Sequence, residues 1–294
     1  MSVITIGIGC TPAQNLAAEV LKFSINQCSK IELSFILLHS DEQWSKLSLP
    51  LSSRQRTPFS LQRFFLAHKV LESSSDIGIY LDSDMLVMRP VEQLITKFIA
   101  TGACIATVDA LAQWCRRKQS SVLIMNREGA KCLWESYLKF EAGLIDYDDL
   151  IYLRKISHVG TIDYSWNCLE YLDESTALLH FTDVETQPWL RFGNPNLGIW
   201  NAFLWRFSQD INNRALVYDE VKRGHVRPSL LEVLSNGPSL TTRSNYGYLR
   251  DLFFVPPHRF KKISSSYLRI ILAPFLRVLM WLQFFFSNGQ PNIR

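Results

Sequence analysis

Between Ile77 and Pro90 the chain reads Ile-Gly-Ile-Tyr-Leu-Asp-Ser-Asp-Met-Leu-Val-Met-Arg-Pro, an apolar run that stops at two carboxylates one residue apart. Side chains alternate along an extended segment, so Asp82 and Asp84 face the same way, and a buried strand feeding them delivers both to the carboxyl edge of a sheet. Ligands of open α/β sheets bind at that edge. Neighbouring carboxylates repel unless a cation neutralises them, and hard oxygen donors of this kind suit magnesium, manganese or calcium. Because Asp-x-Asp also occurs in solvated turns, the pair by itself leaves the metal reading open.

The surrounding pattern narrows the fold. Apolar runs at Val3–Ile8, Leu33–Leu38, Ile77–Leu81, Ala103–Val108 and Val122–Met125 read as strands, and stretches near Ala13–Asn26, Ser60–Leu71, Val91–Ala100 and Arg127–Phe140 read as helices. That alternation implies an α/β sheet flanked by helices. Thr11-Pro12 offers a cap followed by proline at the first helical position, so the first strand is predicted to end at a helix amino terminus. With 294 residues, 47% of them hydrophobic, the chain can bury a sizeable core in one moderately large domain.

Charge divides unevenly. Beyond Asp251 stand Arg259, Lys261, Lys262, Arg269, Arg277 and Arg294 with no acidic residue, which leaves 25 basic against 27 acidic residues in the preceding body. A nearly neutral body carries no electrostatic footprint for nucleic acid. We therefore expect a domain over 1–255 and a basic, apolar tail over 256–294. Residues Tyr267–Phe286 are long enough to cross a bilayer, but Arg277 near mid-span argues against crossing, and Pro274 would kink a continuous helix. The expectation is an amphipathic helical tail that touches a membrane through residues 259–286; packing onto the body or a second subunit is the alternative. The six cysteines form no Cys-x-x-Cys pair and read as reduced thiols, and Met1–Gly9 reads as a first strand, so a cytoplasmic location is expected, peripheral on the cytoplasmic membrane face if the tail binds lipid.

Three segments taken together resemble the glycogenin-like, family 8 type of glycosyltransferase: Thr57-Pro58-Phe59-Ser60-Leu61-Gln62-Arg63-Phe64, the Asp82-Ser83-Asp84 strand end, and His180 followed by Pro188-Trp189. The likeness spans about Val3 to Leu231. It implies a GT-A-type, Rossmann-like mixed sheet, a UDP-sugar donor, a glycan or lipid-linked hydroxyl acceptor, and retention of anomeric configuration. It further implies Mn2+ or Mg2+ held by Asp82, Asp84 and His180, uridine contacts from Thr11 and Gln14, and Arg63 beside the nucleotide or the metal ligands. Ser121 falls where the family touches the donor sugar, and Asp148 and Asp149 where it has acids near the anomeric carbon.

Each of these positions has a plainer reading: helix capping for Thr11 and Gln14, an ion pair for Arg63, a core residue for His180, a strand edge for Ser121, and a helix start for Asp148 and Asp149. Trp166-Asn167 reads equally as an acceptor wall or as core, and Asn194, Asn196 and Trp200 are likewise open. One departure stands out. Where the family has glycine and lysine after the histidine, this chain has Asp183 and Thr186, and Gln187 precedes Pro188. Gln187 can donate hydrogen bonds to a diphosphate but carries no charge, so Arg191 or Arg63 must supply more of the neutralisation. A catalytically weak nucleotide-sugar-binding or membrane-associated assembly protein is the alternative from another class. Sugar nucleotidyl transfer is disfavoured because no glycine-rich, basic signature follows the first strand.

Overall fold

The computed structural model describes residues 3–39, 58–108, 119–238, 250–251, 254–260 and 275, which divide between Thr182 and Asp183 into two compact units. The first unit runs β1 (Ile4–Cys10), α1 (Asn15–Cys28), β2 (Ser34–His39), α2 (Gln62–Glu72), β3 (Ile77–Asp82), β4 (Met85–Val87), α3 (Val91–Ala100), β5 (Ile105–Val108), β6 (Gln119–Asn126), α4 (Arg127–Glu141), α5 (Tyr147–Ile151), β7 (Val159–Ile162), β8 (Cys168–Leu169) and β9 (Leu178–His180). Six strands form one sheet in the order β2-β1-β3-β6-β5-β7, and β4, β9 and β8 form a second, smaller one. The large sheet is mixed: β1 is parallel to β2 and β3, β6 runs antiparallel to β3 and β5, and β7 is parallel to β5. Every predicted strand and helix over residues 3–140 is present within a few residues of its expected ends.

Alternation splits the core into two layers. Ile4, Ile6, Ile8, Ile77, Ile79, Leu81, Val122 and Ile124 point to the side covered by Ala18, Leu21 and Ile25 of α1 and by Leu94 and Phe98 of α3. Tyr80, Leu123 and Met125 point the other way, onto Phe64, Leu66 and Val70 of α2 and Leu133 and Tyr137 of α4. Strands buried on both faces read as continuous apolar runs, as Ile77–Leu81 does. Glycines at alternate positions let α2 lie close to β1: a Cβ on Gly7 would stand 2.8 Å from Leu66 Cδ1, and one on Gly9 would stand 2.2 Å from the Tyr80 hydroxyl and 2.7 Å from Gln62 Oε1. The space left by Gly9 is therefore filled by polar groups at the strand end.

Within the second unit, α8 (Leu230–Asn236) packs against both α6 (Leu197–Phe207) and α7 (Ile211–Lys222), and Trp189 and Trp200 are buried with ring centroids 5.5 Å apart. Buried Arg227 donates from Nε to the Pro188 carbonyl at 2.8 Å and from its backbone nitrogen to the Trp189 carbonyl at 2.9 Å, holding the Pro188-Trp189 turn. None of the helices among the described residues is long and apolar enough to cross a membrane. Of the expected tail over 256–294, only residues 256–260, with a 3-10 helix at Pro257–Phe260, and residue 275 are described; the rest lies outside the described residues.

Candidate metal centre

Asp82 closes β3, and the chain bends through Ser83 and Asp84 directly into β4. The bend is held by the Ser83 backbone nitrogen, which donates to the Gly9 carbonyl at 3.0 Å. In the small sheet β4 runs antiparallel to β9, with Met85 opposite His180, and the Phe181 nitrogen donates to the Asp84 carbonyl at 2.8 Å. Backbone pairing thus carries a histidine 96 residues downstream to the Asp84 side chain, where His180 Nε2 stands 3.1 Å from Asp84 Oδ1. One ligand atom from each of Asp82, Asp84 and His180 lies within 4.8 Å of the others.

Those three side chains fit a divalent cation on the chemistry of the donor set. Two anionic oxygens and an imidazole nitrogen suit magnesium or manganese, and donors sharing one ion at about 2.0–2.6 Å stand no farther apart than about twice that distance. Electrostatics agree. Burial pushes the Asp82 carboxyl above the usual carboxylate range, Arg63 opposes that rise, and the Asp84 charge adds to it. For His180, burial works against the charged ring, but the carboxylates of Asp84 and Asp82 outweigh it and raise its pKa. A pair of carboxylates with more negative charge than its protein surroundings cancel is the condition under which a cation is stabilising.

Further polar side chains stand behind the three. The Tyr80 hydroxyl donates to Asp82 Oδ1 at 2.7 Å; burial, with the Asp82 charge, holds that phenol well above its ordinary range, so it stays a donor. Arg63, 6% exposed, lies 5.2 Å over the Tyr80 ring and donates from Nη1 to the Ser120 hydroxyl. His180 Nδ1 stands 2.8 Å from Asn167 Oδ1, and Asn167 Nδ2 donates to Ser121 Oγ at 3.0 Å. Gln62 Nε2 donates to the Cys10 carbonyl at 3.0 Å, tying α2 to the end of β1.

The other expected site residues have the following described contacts. The Thr11 nitrogen and hydroxyl both donate to Gln14 Oε1, at 3.1 and 3.0 Å, at the start of the helical segment after β1. Asp146 caps α5, accepting from the Asp149 nitrogen at 2.6 Å, while Asp148 is exposed and Asp149 pairs with Lys155 at 3.3 Å. Gln187 is buried in the second unit, its carbonyl accepting from the nitrogens of Leu190 and Arg191, both at 2.9 Å. Asn194 Nδ2 donates to the Thr186 carbonyl at 2.9 Å, and Trp200 is core. Sequence reasoning did not single out Tyr80, although a position two before Asp82 on a strand shares its face. Ser120 and the role of Asn167 left no local signal.

No protein-family model and no curated protein sequence matches this chain. Solved structures do resemble it. The apo form of the glycosyltransferase GlyE in Streptococcus pneumoniae TIGR4 superposes with a TM-score of 0.53 over 77% of this chain and 65% of that one, at 13% identity. A second structure of GlyE gives 0.50 over 78% and 65%, at 15% identity. The apo structure of the bifunctional glycosyltransferase WbbM gives 0.52 over 76% and 52%, at 10% identity. This chain therefore spans under two thirds of the length of each. At such identities the likeness is one of fold: the central mixed sheet flanked by helices is the GT-A fold of glycosyltransferases.

Proposed function

We propose that this protein is a metal-dependent, retaining glycosyltransferase that moves a hexose from a UDP-sugar to a hydroxyl of a glycan or lipid-linked acceptor. The observation that carries the reading is the convergence of Asp82, Asp84 and His180 at the carboxyl end of β3 in a GT-A sheet. Those three side chains would hold Mn2+ or Mg2+. When bound, such a cation supplies Lewis acidity that stabilises the diphosphate leaving group as the anomeric bond breaks. The protein's own part is to position. Tyr80 orients the Asp82 carboxylate, and the Arg63 guanidinium, behind Tyr80, lends positive charge to the site. Thr11 and Gln14 are assigned to the uridine, and Ser121 and Asp148 or Asp149 to the hydroxyls of the transferred sugar.

With no lysine at the Thr186–Gln187 position, the donor rests more on the metal and on arginine. That same feature favours the second reading, a nucleotide-sugar-binding protein with weak turnover. The basic, apolar segment 259–286 is proposed to attach the protein to a lipid surface, which would raise its concentration near lipid-linked acceptors.

A panel of UDP-sugars offered with Mn2+, and then with EDTA, tests the reading. Metal-dependent release of UDP from one donor is expected. Tight binding of a donor with no release, whatever acceptor is supplied, would favour the binding role. Absence of both binding and turnover across the panel would reject the proposal.

A further inference from the structure

From the contacts of His180 we infer that Asn167 is the positioning residue of the metal centre: it accepts the Nδ1 proton of His180 and so commits Nε2, as a lone pair, to the cation. The inference rests on the metal reading above and extends it to a residue outside the ligand set.

An imidazole can present either nitrogen, and only the one without a proton can bind a metal. His180 is held at both ends. Nε2 faces Asp84 Oδ1 at 3.1 Å, on the side where the two carboxylates converge, and Nδ1 faces Asn167 Oδ1 at 2.8 Å. Neither ring nitrogen is left to solvent, since His180 is 5% and Asn167 6% exposed. The amide is bound at its other end as well: Nδ2 donates to Ser121 Oγ at 3.0 Å. With a cation between Nε2 and the carboxylates, Nε2 must offer its lone pair, and the Asn167 amide oxygen, which accepts and cannot donate, is the partner that lets Nδ1 keep the proton. Metal-bound histidines almost always donate their other N–H to such a partner.

The fold explains why Asn167 stands there. It directly precedes β8, whose Leu169 lies opposite His180 in a parallel pairing with β9, so the residue before the strand is carried to the ring edge. Ser121 lies on β6 in the large sheet. The chain of bonds Ser121–Asn167–His180–Asp84 therefore ties the two sheets of the first unit together through the candidate ligand.

The test uses the full-length protein with Mn2+ and Mg2+ as probes. Mn2+ affinity, read from the electron paramagnetic resonance of the unbound ion, should fall about tenfold or more in Asn167→Ala, within the 10- to 100-fold range of such outer partners. Asn167→Asp, which keeps an accepting oxygen, should restore affinity to within about threefold of the original. In the Mg2+-saturated original protein, long-range 15N–1H correlation, with the His180 signals assigned by their loss in His180→Gln, should show the proton on Nδ1. That measurement needs no altered Asn167, so a poorly folded variant does not decide the matter. A proton on Nε2, or an Asn167→Ala curve superimposed on the original, overturns the inference while the metal reading stands. Equal loss in Asn167→Ala and Asn167→Asp, with unchanged melting, also overturns it, since packing and not the accepting oxygen would then be at work. If the original protein binds neither ion, the metal reading falls, and this inference falls with it.

Discussion

Two clusters in this molecule pair a histidine with a buried carboxylate, and they do opposite things. In the second unit, Glu220, fully buried near the end of α7, accepts from His225 Nδ1 at 2.7 Å and from Arg223 Nη1 at 3.2 Å, while the His225 backbone nitrogen donates to the Glu220 carbonyl at 3.0 Å. One anion there meets two basic side chains from the next five residues, and the result closes a helix end. In the first unit, two carboxylates meet one imidazole, with Arg63 the charge that lowers the Asp82 pKa most. The outer partners Tyr80 and Asn167 each take one atom of a ligand. Residue types are alike in the two places. What differs is whether the protein balances the charge itself: a saturated cluster stabilises a fold, whereas an unbalanced one is fit to take up a cation.

The largest effect that could break this contrast is on catalysis. Asp84→Ala should lower metal-dependent transfer by at least about 100-fold, since several kcal/mol of charge stabilisation is removed. Transfer that survives with its metal dependence intact would show that Asp84 is no ligand. Next in size is Glu220→Gln, expected to cost roughly 1–3 kcal/mol in urea unfolding through a weakened buried ionic hydrogen bond, with kcat unaltered. A fall in turnover at unchanged stability would place Glu220 in the chemistry and erase the distinction.

Titration sharpens it further. Without metal, Asp82 and His180 both hold protons more tightly in the folded protein than in an unfolded chain. Groups with raised pKa values contribute stability that is full below the unfolded value and lost as pH rises through the folded one. The metal-free protein should therefore lose stability as pH climbs above the ordinary imidazole value of 6.5. With Mn2+ present the slope should reverse over the same range, because the cation binds only the deprotonated ligands. Melting curves at several pH values, with EDTA or Mn2+, check the sign; parallel slopes would contradict it. The smallest effect concerns Tyr80→Phe, which removes one charge-assisted hydrogen bond of about 1.5–3 kcal/mol at most. Mn2+ affinity should fall by about three- to tenfold, measured by calorimetry, and an unchanged value would reduce Tyr80 to core packing.

Legibility followed the range of the forces involved. The run Ile77–Leu81 ending in Asp82 and Asp84 was readable because alternation and the cost of adjacent carboxylates are local. Helices α1 to α4 were readable for the same reason, since each lays a periodic apolar face on the sheet. The strand ending at His180 was readable, but the three-residue β4 has no period of its own; its pairing with β9 is what brings Met85 opposite His180. Arg63, expected beside the nucleotide or the metal ligands, lies over the ring of Tyr80, which itself bonds Asp82. Trp166-Asn167 was left open between acceptor wall and core, and tertiary pairing decided it differently for each residue: Trp166 is core, and Asn167 faces His180.

The amino-acid order alone determined an α/β chain with an acidic pair at a strand tip and a basic, apolar carboxyl-terminal segment, because periodicity and charge are properties of neighbouring residues. The family resemblance pointed to His180 as the imidazole that meets that pair; tertiary structure alone decided which amide holds the imidazole, because Asn167 and Ser121, 46 residues apart, come within hydrogen-bonding distance only when strand pairing has closed the loop between them.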